Sequence, residues 1–305
     1  MGRNLLAVSD LEKNEIREII RRSGELKELK KQGESPRSLA GMSVGLLFEK
    51  QSTRTRLSFE AGLFDLGAQG IYMNPADTQL GRGETIADTA KILSSYLDGI
   101  IIRTYGQEKA LELAENSTVP VINALTDLEH PTQIISDLFS ISEQGINPEK
   151  FKLAFLGDGN NIANSFVAAS AIMGFDLSLA VPPGYEPNPA IMGEVSEQGN
   201  SEIEVTHDPA SAVRDADVIY TDVWVSMGEE GKGTEIFSPF QVNEKLLSSC
   251  RKEPLIMHCL PAHRGEEITA GVMDSSSCIA FTQAENKLHA GKAILEFCLL
   301  DYLAS

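Results

Sequence analysis

The chain has 305 residues, 42% of them hydrophobic and 23% charged, which gives room for two domains of ordinary size and excludes a disordered chain. Its formal net charge of −18 excludes the broad basic face that nucleic acid or an anionic membrane requires, so an anionic ligand would need a local positive island. No apolar run reaches bilayer length, no secretory leader is read, and Cys250, Cys259, Cys278 and Cys298 lack CxxC spacing, so a cytoplasmic, disulfide-free protein is expected.

The spacing of Leu11, Ile16, Ile19, Ile20 and Leu26 predicts a helix over 11–32, packed outside the first sheet. Residues 42–48, with Val44, Leu46 and Leu47, read as a buried parallel strand. That strand runs into Ser52, Thr53, Arg54, Thr55 and Arg56, after which Leu57, Ala61 and Phe64 keep helical period until Gly67. A helix starting at Ser52 or Thr53 aims its free N–H groups and positive dipole end beyond the strand. Phosphate suits that place, with hydroxyls from Ser52, Thr53 and Thr55 and guanidinium groups from Arg54 and Arg56. The plainer alternative is an N-capped helix with two solvated arginines.

A strand at 70–73 precedes the glycine-bearing stretch 79–85, expected to be a mobile loop. Helices at 84–97 and 107–115 alternate with strands at 99–103 and 119–123, which implies a parallel sheet covered on both faces. Ligands collect at the carboxyl ends of such strands, where Arg54, Arg56, Arg82, Arg103 and His130 could build the positive island. His130 and Gln133 open a long helix with Ile134, Leu138 and Ile141 at helical spacing, and that helix should join two domains, 1–134 and 135–284. By itself His130 would be a satisfied surface histidine beside a helix cap.

The second run begins with a strand at 152–156, the turn Gly157 to Asn161 and a helix through 173. Its third fingerprint glycine is missing, so nicotinamide and flavin are not expected, although Asn161 remains an available amide. Strands at 176–181, 202–206 and 217–221 follow, then Asp222 to Gly228 with the single tryptophan, and a flexible loop over 228–235. The strand 255–258 ends in His258 and Cys259; a last short strand is read at 279–281 and a helix over 285–303, returning to the first domain. An inert buried thiol is the ordinary role for such a cysteine. A Cys259–His258 nucleophilic pair fails because neighbours on a strand point to opposite faces. None of the five histidines has zinc-site spacing, and no metal is expected. The predicted fold class is α/β, with two parallel sheets flanked by helices.

Four stretches, STRTR at 52–56, HPTQ at 130–133, DVWVSMG at 222–228 and HCLPA at 258–262, together resemble the ornithine carbamoyltransferase family. QLGRGE at 79–84 and GDGNN at 157–161 extend the resemblance over essentially the whole chain. The first two motifs are shared with aspartate carbamoyltransferases, so the second-domain motifs decide the amine. The resemblance implies a first domain that binds carbamoyl phosphate through Ser52, Thr53, Arg54, Thr55, Gln79, Arg103, His130, Pro131, Thr132 and Gln133, with Cys259, Leu260 and Lys287 contributing. Some members present the residue at the Gln79 position from a neighbouring subunit. Asn161, Asp222, Ser226 and Met227 match the family's L-ornithine positions. Assembly as a trimer, or a multiple of trimers, follows by the same resemblance.

The implied chemistry is attack by an uncharged δ-amine on the carbonyl carbon, giving L-citrulline and phosphate with no metal or cofactor. Arg103, His130 and Thr55 are candidates to hold the developing oxyanion, and Arg54 with the helix start to hold the leaving phosphate. Asp222 could hold the amine electrostatically while Cys259 relays or orients its proton. Aligning two substrates across a cleft can remove about 7–11 kcal/mol of barrier, with closure as the expected gate. Lys287 departs from the family's arginine after QAEN; it keeps the charge and loses the planar fork. Two alternatives stay open: another amine acceptor (putrescine, an acylated ornithine or aspartate), and a non-catalytic binding paralogue.

Overall fold

The computed structural model describes residues 2–74, 83–196, 201–225 and 233–300. Two units divide the chain: Met1–Glu143 together with Glu285–Ser305, and Gln144–Ala284.

In the first unit the elements run α1 (Lys13–Lys31), β1 (Ser43–Phe48), α2 (Arg54–Asp65), β2 (Gln69–Met73), α3 (Ile86–Tyr96), β3 (Gly99–Arg103), α4 (Gln107–Asn116), β4 (Val121–Leu125) and α5 (Pro131–Glu143). The sheet order is β2-β1-β3-β4 and every pair is parallel. β3 is buried along its whole length, as its unbroken isoleucines demand. Leu47, Ile100, Ile102 and Val121 pack with Ala90, Ala110 and Leu113 of the flanking helices in one apolar cluster. Helix starts carry local signals: Glu15 accepts from the Glu12 N–H at 2.7 Å before α1, and the Thr85 hydroxyl accepts from the Asp88 N–H at 3.1 Å before α3.

The second unit contains β5 (Lys152–Leu156), α6 (Asn161–Met173), β6 (Asp176–Ala180), α7 (Pro189–Ser196), β7 (Ile203–Thr206), α8 (Pro209–Val213), β8 (Val218–Thr221), α9 (Glu244–Leu247), β9 (Leu255–His258) and α10 (Ala270–Met273). Its sheet is also parallel, in the order β7-β6-β5-β8-β9. In the turn after β5, a Cβ on Gly159 would lie 2.4 Å from the Tyr185 carbonyl oxygen and 2.6 Å from the Pro187 nitrogen. That glycine serves the close passage of another backbone segment, which accounts for a fingerprint-like turn without the full dinucleotide pattern.

The last helix, α11 (Ala280–Leu299), begins in the second unit and continues as part of the first. There Glu296 takes two bonds from Arg22, at 2.6 and 3.0 Å, and Asn286 accepts from Lys27 at 2.8 Å. The C-terminal helix thus returns to the first unit. Three expectations change in detail. The strand read at 279–281 is a single bridge between Ile256 and Cys278, because Ala280 already opens the helix and the Gln283 N–H bonds back to the Ile279 carbonyl at 2.8 Å. The phosphate-trap helix begins at Arg54, with Thr53 in the cap position. The first unit runs past residue 134 to Glu143, since α5 packs on α1 and β4 and its last residue, Glu143, accepts from Lys27 and Asn286.

Candidate active site

At the carboxyl ends of β1 and β3, the first unit gathers most of the residues expected around a phosphate. Thr53 holds the cap position of α2 and makes no side-chain cap hydrogen bond of its own; the N–H groups that open such a helix suit an anion. Arg54 is its first residue, and Thr55 is buried. Arg103, the last residue of β3, is 6% exposed, and Lys287 on α11 is 8% exposed, so both cations act from inside the protein and not from its rim. Lys287 Nζ donates to Thr55 Oγ1 at 3.2 Å and to Gln133 Oε1 at 2.6 Å. The Thr132 hydroxyl lies 3.4 Å from His130 Nδ1.

Arg103 and Lys287 also make themselves felt at His130. Burial first, then the charges of Lys287 and Arg103, push the imidazole well below its ordinary value of 6.5, so it is neutral near pH 7. The sequence reading counted His130 in the positive island, but it adds no charge there and offers an uncharged imidazole instead. Arg56 likewise departs from its expected role. Its guanidinium lies 3.5 Å from the centroid of the Tyr72 ring and its Nε bonds to Glu60 Oε1 at 3.0 Å, so it braces α2 against β2. Asp137, which the sequence did not single out, accepts from Gln133 Nε2 at 2.8 Å and fixes which end of that amide faces Lys287.

In the second unit, Asp222 follows β8 and is 9% exposed, Cys259 follows β9, and the two meet: the Cys259 thiol donates to Asp222 Oδ1 at 2.9 Å. The same oxygen accepts from the Val223 N–H at 2.8 Å, and Oδ2 accepts from Asn160 Nδ2 at 3.1 Å. Asn161, the residue expected here, opens α6, while its neighbour makes the contact with Asp222. Asn160 was missed because two adjacent asparagines cannot be told apart until the helix start assigns one as cap.

The chain after Cys259 is shaped by a buried pair. His258 Nε2 lies 3.0 Å from Glu267 Oε1, both side chains fully buried, and His258 Nδ1 accepts from the Leu260 N–H at 2.9 Å. That last bond holds Leu260 at φ 59°, a left-handed conformation unusual for a leucine, and turns the chain immediately after the thiol. Asp222, His258 and Cys259 bring ligand-type atoms within 4.8 Å of one another, but both ring nitrogens of His258 are already engaged. Gln79, Arg82, Ser226 and Met227 lie outside the described residues.

Residues 3–143 match the carbamoyl-P binding domain of aspartate/ornithine carbamoyltransferase, and residues 149–298 match its Asp/Orn binding domain. The chain is 47% identical over 302 residues to an ornithine carbamoyltransferase of Syntrophus aciditrophicus, covering 98% of this chain and 100% of that one. It is 48% identical over 306 residues to a catabolic ornithine carbamoyltransferase of Thermoplasma acidophilum, covering 98% and 99%. Among solved structures, the ornithine carbamoyltransferase from Pyrococcus furiosus superposes with a TM-score of 0.92 at 44% identity, covering 98% of this chain and 97% of that chain. With two domain matches, near-complete coverage and the same fold, this chain belongs to the ornithine carbamoyltransferase family.

Proposed function

We propose that the protein transfers the carbamoyl group of carbamoyl phosphate to the δ-amine of L-ornithine, giving L-citrulline and phosphate, within arginine metabolism. It is a carbamoyltransferase by family. The observation that carries the reading is the convergence of Arg103, Lys287 and a neutral His130 in one buried region, with Lys287 bonded to Thr55 in the first turn of α2. A dianionic phosphate is matched there by guanidinium and ammonium groups and by the N–H groups at the start of α2.

In this reading the first unit binds carbamoyl phosphate through Ser52, Thr53, Arg54, Thr55, Arg103, His130, Pro131, Thr132, Gln133 and Lys287, with Gln79 completing the set. The neutral imidazole of His130 and the guanidinium of Arg103 donate to the carbonyl oxygen as the amine adds, and the C–O bond to phosphate then breaks. In the second unit Asp222, Asn161, Ser226 and Met227 bind ornithine, with Cys259 and Leu260 at the reacting amine. The amine loses one proton before attack and a second afterwards, and Cys259 and Asp222, already sharing a hydrogen bond, stand on that route.

Assembly as a homo-oligomer, trimeric or a multiple of trimers, is part of the proposal. On the first unit Leu57, Phe64, Ile92 and Tyr96 are exposed, Phe64 to 80%, more apolar surface than a lone subunit gains by showing to water. No helix among the described residues is long and apolar enough to cross a membrane, and we place the protein in the cytoplasm.

The test is an acceptor series at fixed carbamoyl phosphate: ornithine, putrescine, an N-acylated ornithine and aspartate. Citrulline formed from ornithine, well ahead of the others, is the expected result; turnover confined to one of the others would replace the substrate.

A further inference from the structure

We propose that Asn160 is a positioning residue that aims the Asp222 carboxylate at the substrate's ammonium group; this deepens the ornithine reading above and rests on it. Asn160 is the cap of α6, in extended conformation. Its side-chain oxygen accepts from the Ile162 N–H at 2.9 Å and the Ala163 N–H at 3.3 Å. Only the oxygen of an amide can accept, so the helix start decides which way the group faces and turns Nδ2 outward. There it donates to Asp222 Oδ2 at 3.1 Å.

A carboxylate offers about four lone-pair sites. Asp222 uses one for Asn160, and two more on Oδ1 for the Val223 N–H and the Cys259 thiol. These donors come from the turn after β5, the chain after β8 and the chain after β9, so the carboxylate is clamped against rotation from separate segments. Among the described residues, what remains is an acceptor direction on Oδ2, the oxygen that Asn160 holds. Such a group takes an N–H of a substrate ammonium and rejects a carboxylate in the same place. Without Asn160 the carboxylate would keep its charge and lose its direction.

A merely structural role, capping α6, is separated from this one by choice of variant. Ser caps a helix about as well as Asn, so Asn160→Ser should keep the wild-type melting temperature. Asn160→Asp sets a second carboxylate against Asp222, and one of the two must then take up a proton or turn away. The expected result is an ornithine KM raised about tenfold or more for Asn160→Asp and several-fold for Asn160→Ser, with the carbamoyl phosphate KM within about twofold of wild type. The pH profile of kcat/KM for ornithine should gain a further protonation step in Asn160→Asp alone. An unchanged ornithine KM and pH profile in that variant, or an equal rise in both KM values alongside a lowered melting temperature in Asn160→Ser, overturns the proposal. The acceptor series on the unsubstituted chain is measured first and tests the ornithine reading by itself; the Asn160 comparison is then made with whichever amine that chain carbamoylates.

Discussion

Lys287 Nζ lies 2.6 Å from Gln133 Oε1, and the other end of that amide donates to Asp137 Oδ1 at 2.8 Å. The ammonium group is therefore held in place by a side chain that is itself oriented by a buried carboxylate, and it reaches Thr55 Oγ1 at 3.2 Å from that position. Lys287→Met removes the charge while keeping most of the volume. A buried charge-assisted hydrogen bond contributes about 1.5–3 kcal/mol, so the carbamoyl phosphate KM should rise on the order of 10- to 100-fold. Lys287→Arg should keep most of the affinity, since the charge stays and a fork replaces a point donor. Initial-rate kinetics checks both, and a methionine variant with wild-type affinity would remove Lys287 from the site.

Arg54 and Arg56 are two residues apart on one helix and are predicted to behave differently. Arg54→Ala should abolish turnover with the fold intact. Arg56→Ala removes the stack on Tyr72 and the pair with Glu60, contacts at a half-exposed site that together contribute about 0.5–1 kcal/mol. Its signature is a slightly lowered melting temperature with the carbamoyl phosphate KM close to wild type. If the two variants lost activity equally, the assignment of Arg56 to bracing α2 would be wrong.

Cys259→Ala leaves Asp222 Oδ1 with the Val223 N–H alone, whereas Cys259→Ser keeps a donor of similar reach. Alanine should therefore raise the ornithine KM and lower kcat more than serine, with neither affecting the carbamoyl phosphate KM by more than about twofold. Product inhibition and initial rates measured with both variants separate these effects. Equal behaviour of serine and alanine would show that the donated hydrogen bond is irrelevant to ornithine binding.

Two buried histidines contribute to the response to acid. His130 lies well below 6.5 through burial and the charges of Lys287 and Arg103, and His289 is lowered to about 3, chiefly by burial and then by Lys292. Both folded values fall below the unfolded one, so the unfolded chain takes up protons first as pH drops. Their contribution to stability is complete above about pH 6.5 and declines as pH falls toward the folded values, by at most about 1.4 kcal/mol per pH unit for each group. Melting temperatures between pH 4 and 8 should fall on the acid side, less steeply in His289→Leu. Parallel curves for that variant and wild type would show that His289 titrates normally.

The alternation of strands and helices was legible because each buried strand is a run such as Ile100 to Ile102 and each helix keeps an apolar face. The placement of Arg103 at the end of β3 and of His130 just before α5 followed from the same periodicity. What could not be read were contacts made across the chain. Arg56 looks like Arg54 until Tyr72, on the next strand, claims its guanidinium. The charge state of His130 depends first on its burial and then on Lys287, which is far away in sequence and arrives only when α11 returns to the first unit. At the other end of that helix, the short apolar run at 279–281 suited a strand, but the chain pairs for a single bridge and then coils.

With its imidazole uncharged, the proposed phosphate region draws its positive charge from the Arg103 guanidinium and the Lys287 ammonium. Such groups hold spent inorganic phosphate almost as readily as the donor molecule that delivered it. Accumulated phosphate should then act as a brake on turnover, competitive with the carbamoyl donor, and arsenate should mimic it.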